Sequence, residues 1–543
     1  MTERAIRARL SRLPAPDPLD RDREPLIARR SPVQGWDLPL LGVIVAVALV
    51  GGGVAAAAPL VAAGGIGVAV VVGGVLALGS RSRMLALTSL AVALVGYGFL
   101  SRGFSYIGAR PVFIGEVLLL VCVIATIMAL GRARFRVVHA VLLAFMVLGA
   151  ARTIPYLGTY GIDAARDGAT WIYAFFAFAV SILVRPEDIL RVVRAYGWYV
   201  PLFVAWVPLS TALTSAGVVP TVPGTDVPII GFKMGDMGVQ LAGVAGFVLS
   251  GTFATTPAAH RVRESVFWMG WLVAAGIVAA QNRGAMVAMA AVAAVALVVR
   301  PSGRWARAGA IALGLVVVLA LVNPTVAIGD RRALSFNQLV DNATSVFGST
   351  GNSDLDGSRG WRLRWWSTII AYTVDGPYFW TGKGFGINLA DADGFQVGAV
   401  GTDQSLRAPH NGHMEILARE GVPGFVLWVL LQATWLGMML RSGWRARRRA
   451  GGAVWVGIAG WLVVYWAASL VNMSFDVFLQ GPHGGIWFWS VFGLGIAVAA
   501  IVDRLGQGSA DTGATTPAAR PRRLPATRAV SPVTKGEWIA DGG

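Results

Sequence analysis

The chain has 543 residues, 55% hydrophobic and 14% charged, with a mean hydropathy of +0.62. Soluble domains carry about 25% charged residues, so these proportions exclude an ordinary water-soluble fold and point to a bilayer as solvent. The net charge of +17 does not argue for nucleic acid, because the cations fall in short clusters between apolar runs, as membrane-topology signals do.

Reading in chain order, residues 1–36 form a basic, Pro-rich tail that reads as disordered. The first apolar run begins near Leu38, behind a tail too long for the n-region of a signal peptide. The apolar runs fall near 38–58, 60–79, 84–100, 112–130, 137–154, 168–184, 196–214, 237–254, 264–281, 284–299, 306–322, 422–440, 453–473 and 484–502. A lipid-spanning helix needs about 20 apolar residues. Because these runs are continuous rather than alternating, they read as helices and not as barrel strands. The expected fold is all-α and polytopic, with about 12–14 spans. Residues 37–322 carry spans 1–11, 323–421 form a long loop, 422–502 carry spans 12–14, and 503–543 form a second disordered tail.

Arginine clusters alternate along the connectors: Arg81/Arg83, Arg132/Arg134/Arg136, Arg185/Arg191/Arg194, Arg261/Arg263, Arg300/Arg304/Arg307 and Arg441 through Arg449. By the positive-inside rule these are cytoplasmic, which puts both termini inside the plasma membrane and the 323–421 loop outside. Cys122, the single cysteine, lies in an apolar run, has no disulfide partner and belongs to no metal-ligand spacing, so it reads as a small buried hydrophobe. Glu116 is an acid within an apolar run and a functional candidate for that reason, or a partner for Arg110.

Long loops are usually functional. In this one, "WRLRWWSTIIAYTV" (361–374) suggests short interfacial helices, and Trp361, Trp365, Trp366 and Trp380 fit an aromatic belt. Arg283 stands in the shortest outer turn, in "AAQNRGAMVAM"; it is either an interface anchor or a fixed cation for phosphate oxygens. "GSRGWRLRWW" (357–366) puts Arg359 and Arg362 on one helix face. His410 precedes Asn411 where a helix can begin, so Asn411 reads as a cap and His410 as incidental or as a general base. His413 is the lesser candidate, and Glu420 closes a turn or pairs with an arginine. "TGKGFG" (381–386) lacks the spacing and the Ser/Thr of a phosphate loop, and reads as a glycine-rich turn.

Four stretches together resemble the O-antigen ligase/polymerase superfamily of membrane proteins: "QNRGAMVAMAAV" (281–292), "RLRWW" (362–366), "GPYFWTGKGFG" (376–386) and "PHNGHMEILAREGVPGFVLW" (409–428). The likeness covers about 230–440. It implies a GT-C-like, metal-independent glycosyltransferase without cofactors. Its donor would be a glycan on an undecaprenyl-pyrophosphate carrier, and its acceptor another glycan or a glycolipid on the outer face. The resemblance implies that Arg283 and Arg362, or Arg359 in place of Arg362, bind the pyrophosphate and that His410 is the base. Asn411 and Glu420 would support it. The rival class is a lipid-linked glycan flippase, which would want ionisable groups along a path between the two faces.

Overall fold

The computed structural model describes residues 72–109, 112–299, 304–322, 326–328, 332–347, 353–396, 406–449 and 451–513. The expected span 38–58, most of 60–79, the tail 1–36, residues 514–543 and Arg110 lie outside the described residues. The chain forms two units, 1–73 and 74–543, and every element bearing on the site belongs to the second.

Twelve apolar helices are α1 (Ser82–Leu100), α2 (Ile114–Ala129), α3 (Val137–Thr153), α4 (Phe175–Leu183), α5 (Pro186–Ser215), α6 (Met234–Leu249), α7 (Glu264–Gln281), α8 (Arg283–Val299), α9 (Arg304–Val322), and, after the long connection, α13 (Gly412–Arg447), α14 (Ala453–Met473) and α15 (Pro482–Gly513). The connection carries α10 (Phe336–Phe347), α11 (Ser353–Thr373) and α12 (Leu389–Asp393). Among the described residues the strands are two hairpins, β1–β2 at Gly108–Ala109 and Val112–Phe113, and β3–β4 at Val326–Ile328 and Arg332–Leu334. Seven of the described helices are long and apolar enough to cross a membrane. The protein is an all-α, polytopic membrane protein. Every expected run from 84–100 to 484–502 carries an apolar helix.

Two starts differ from expectation for local reasons. α5 begins at Pro186, because proline suits the first helical position and Asp188 Oδ2 accepts the Arg185 amide at 3.0 Å. α13 begins at Gly412, where the Asn411 side chain caps it, and is broken at Gly421 (φ 69°, ψ −168°). That conformation is nearly exclusive to glycine. A Cβ there would also meet the Phe379 carbonyl oxygen at 2.5 Å. Gly421→Ala is therefore expected to cost about 2–3 kcal/mol from backbone strain. Thermal unfolding of the purified protein checks it, and an unchanged midpoint would contradict the strain argument.

α6, α8 and α14 pack on one another at the centre of the bundle, with α13 and α15 against α14. Glycines make this approach close: a Cβ at Gly243 would meet the Tyr465 ring at 2.1 Å, one at Gly246 the Val464 side chain at 2.4 Å, and one at Gly238 Ala285 at 2.5 Å. Small residues let membrane helices gain dispersion contacts where no water drives them together. Gln240, buried between them, accepts hydrogen bonds from the hydroxyls of Tyr199 and Tyr465.

Acids tie the arginine clusters at one end of the bundle. Asp188 pairs with Arg83 (2.5 Å) and Arg191 (2.8 Å), and Asp503 with Arg136 (2.9 Å) and Arg445 (2.7 Å). The long connection gathers at the other end around its own core of Trp365, Ile369, Leu389, Ala390, Leu417 and Ala418. α11 is a continuous 21-residue helix rather than a short piece. Trp365 is not a belt residue: it is fully buried and donates to Asp393 Oδ2 at 2.7 Å, while Trp380 is 69% exposed. Burial of its ring against the connection's own core outweighs any interfacial preference.

The "TGKGFG" turn wraps the first part of α13. Gly382, Gly384 and Gly386 all have positive φ, and the amides of Lys383 and Gly384 donate to the Ala418 and Arg419 carbonyls at 2.7 and 3.0 Å. Lys383 pairs with buried Asp393. Arg419, 1% exposed, forms ion pairs with Glu415 (2.9 Å) and Asp167 (3.0 Å), and Arg407 meets Asp167 at 3.2 Å. Removing one member of such a buried group strands its partners without compensation, at about 3–5 kcal/mol. Arg419→Ala is expected to lower thermal stability by that order; a wild-type unfolding temperature in a melting assay would refute it.

Candidate functional site

The site begins where α7 meets α8. Asn282 is extended (φ −146°), and its Oδ1 accepts the Ala285 amide at 2.9 Å. This caps α8 and makes Arg283 its first residue. Gly284 is needed because the connection between α14 and α15 comes so near: a Cβ would sit 2.7 Å from that of Phe475. The Arg-Gly pair thus places a cation and, beside it, the gap that lets another segment in.

α11 supplies the second wall. It packs on α13, and Trp366 Nε1 donates to the Pro409 carbonyl at 2.9 Å, which fixes the chain just before His410. His410 has φ 50°, one of two non-glycine residues with positive φ among those described. Such conformations cost of order 1–3 kcal/mol and persist where the surroundings impose them, often at functional sites. Directly after it, Asn411 Oδ1 accepts the amides of His413 (2.9 Å) and Met414 (3.1 Å), so the capping role and a half-buried, accessible imidazole coexist.

A cavity of about 330 Å³ opens between these segments, lined by Lys233, Met234, Gln281, Asn282, Arg362, His410, Asn472, Phe475 and Asp476. Arg362 and His410 therefore face one space. Arg283 lies close enough that, after burial, its charge is the main influence lowering the proton affinity of Arg362, with Asp476 opposing it. A guanidinium does not deprotonate in proteins, so this is a measure of electrostatic crowding that an anion would relieve. Arg362 Nε makes no hydrogen bond to the described residues.

Of the other expected residues, Arg359 is exposed and does not line the cavity. Arg364 is exposed as well. His413 is held away: Nδ1 accepts from Trp428 Nε1 at 3.1 Å and Nε2 meets the Leu470 carbonyl at 3.1 Å. That pattern fixes one neutral tautomer and gives it a packing role. Glu420 is 1% exposed and lies outside the cavity, beneath the Gly421 break, with neither carboxylate oxygen hydrogen-bonded among the described residues. Glu116 stands in the first turn of α2, not in mid-membrane, and takes hydrogen bonds from the Phe113 amide (3.0 Å) and the Tyr173 hydroxyl (2.9 Å).

Asp476 and Lys233 were not expected as site residues. Both Asp476 oxygens accept from Lys233 Nζ, at 3.2 and 3.0 Å, and His410 Nδ1 lies 3.8 Å from Oδ1. The Asp476 amide donates to the Asn472 carbonyl at 3.0 Å. Burial favours the protonated acid, but His410, Lys233 and the Val477 amide outweigh it and hold the carboxyl well below its usual range. For Lys233, partial burial is likewise outweighed by Asp476 and Asp236, and its proton affinity rises. The signal for Asp476 was available: a lone acid in a short connector is as anomalous as a lone arginine. Among the described residues no three His, Cys, Asp or Glu side chains are grouped as metal ligands.

The fold and this cavity define a polytopic helical membrane protein with a cationic, histidine-bearing site at one end of its bundle. Residues 268–429 match the O-antigen ligase family model. Arg283, Arg362, His410, Asn411 and Glu420 fall within this segment; Lys233, Asn472 and Asp476 fall outside. No curated protein matches the chain.

Proposed function

We propose that the protein moves a glycan from an undecaprenyl-pyrophosphate carrier to an acceptor glycan or glycolipid, acting at the outer face of the plasma membrane with both termini in the cytoplasm. The observation that carries this reading is the cavity itself, in which Arg362, with Arg283 beside it, faces His410 across about 330 Å³. A lipid-linked diphosphate needs a polar headgroup site at the mouth of an apolar bundle, and guanidinium groups match phosphate oxygens in bidentate fashion.

The chemistry follows from charge. As the glycosidic bond breaks, negative charge grows on the departing pyrophosphate. Arg362 and Arg283 are fixed in place before that charge appears, so they stabilise the transition state more than the ground state. His410 takes the proton from the incoming acceptor hydroxyl, and the adjacent Asp476 favours the imidazolium that results. Direct attack opposite the leaving group inverts the anomeric centre. The acceptor's hydroxyl oxygen forms the new bond to carbon, and the old bonding pair leaves on the pyrophosphate.

The test is reconstitution in liposomes with an undecaprenyl-pyrophosphate oligosaccharide and a glycan acceptor. Transfer should appear as elongated or newly linked glycan with release of undecaprenyl pyrophosphate. Movement of the intact donor across the bilayer, with the glycosidic bond unbroken, would instead identify a flippase.

A further inference from the structure

Asp476 sits between Lys233 and His410 and takes side-chain hydrogen bonds only from the lysine. Lys233 Nζ is in hydrogen-bond contact with both of its oxygens, at 3.2 and 3.0 Å. His410 Nδ1, at 3.8 Å, is just beyond that range. We propose that Lys233 is a third phosphate-binding cation held in reserve by Asp476, and that carrier binding draws Lys233 onto the pyrophosphate and transfers Asp476 to His410. The inference rests on the transfer reaction proposed above and adds to it a residue and an order of events.

Charge balance supports it. A pyrophosphate joined to both lipid and sugar is a dianion. Arg362 is the arginine of the cavity lining, so a dianion draws on a further cation of that lining, Lys233, which Asp476 holds. When the sugar leaves, the pyrophosphate gains a further negative charge, and Lys233, already drawn onto it at binding, is in place to meet that charge. Arginine is a rigid fork, whereas lysine carries a compact charge on a four-carbon flexible stem. Lys233 keeps 44% of its side chain exposed while Asp476 keeps 16%, so the lysine is the partner with room to move. Of the other charges that bear on Lys233, Arg102 donates to the Tyr106 hydroxyl at 3.2 Å, and Asp236 lies 3.2 Å from His483 Nε2 without a hydrogen bond from it. Asp476 is held by its own backbone, with its amide on the Asn472 carbonyl, so losing Lys233 leaves it in reach of His410.

The test uses the full-length protein in lipid nanodiscs, with undecaprenyl pyrophosphate as probe and undecaprenol as control, followed by intrinsic tryptophan fluorescence. Lys233→Gln is expected to weaken pyrophosphate binding about 10-fold, the scale of one charge-assisted hydrogen bond, and Lys233→Arg to restore most of it. Asp476→Asn is expected to tighten binding by a similar factor, because the lysine is released. In turnover, the loss should fall on KM for Lys233→Gln and on kcat for Asp476→Asn. A purely structural ion pair predicts the same sign for both variants, and that result would overturn the exchange. If Lys233→Gln binds like wild type while Arg362→Ala does not bind, the exchange fails and the transfer reading stands. If the wild-type protein does not distinguish pyrophosphate from undecaprenol, both fail.

Discussion

Arg362→Ala is expected to lower turnover by about 10²–10³-fold, the usual effect of deleting one preorganised charge-stabilising group. The effect should fall mainly on kcat, since the charge it meets develops as the bond breaks. Arg362→Lys should recover only part of it, because a point charge cannot reproduce the two-oxygen grip of a guanidinium. Arg359→Ala and Arg364→Ala provide the contrast: both side chains are exposed on the same helix, and Arg359 lies outside the cavity lining. Their turnover should stay within about two- to threefold of wild type, the range expected of a surface charge. Steady-state assays on the reconstituted enzyme decide this, and equal losses at 359 and 362 would show that the helix, not the cavity-facing arginine, is what matters.

The second large effect concerns His410. His410→Ala is expected to reduce transfer by about 10²–10⁴-fold, as loss of a general base does. His410→Gly separates chemistry from conformation. The residue holds φ 50°, which costs an L side chain roughly 1–2 kcal/mol and costs glycine little. The glycine variant should therefore fold at least as stably as His410→Ala while being equally inactive. A glycine variant that retains wild-type transfer would remove His410 from the reaction. One that melts well below the alanine variant would remove the strain argument.

The membrane fold was legible because lipid imposes it: a run such as 453–473 has one solution for its backbone polar groups, a helix. Residues at odds with their surroundings were legible too. Arg283 in a short turn between spans and His410 beside a capping asparagine are local anomalies, visible without any contact map. The choice between Arg359 and Arg362 was not, since three residues apart they share a face and only the packing of α11 on α13 decides which is turned inward. Asp476 was readable as a lone acid in a short connector, but its pairing with Lys233 was not. They meet across 243 positions of chain, and no local spacing encodes that. Trp365 misled because tryptophan near a membrane surface has two stable environments, and its burial against Leu389 and Leu417 depends on a loop fold that periodicity does not reveal.

The polar lining comes from five separate stretches of chain, at 233, 281–282, 362, 410 and 472–476. The homologous portion, 268–429, is consequently no portable module. Grafted into a foreign scaffold it would bring the guanidinium groups and the imidazole yet leave their carboxylate behind. On the proposed transfer reaction, activity belongs to the assembled bundle, and any minimal active version has to reach from Lys233, just ahead of α6, past the end of α14.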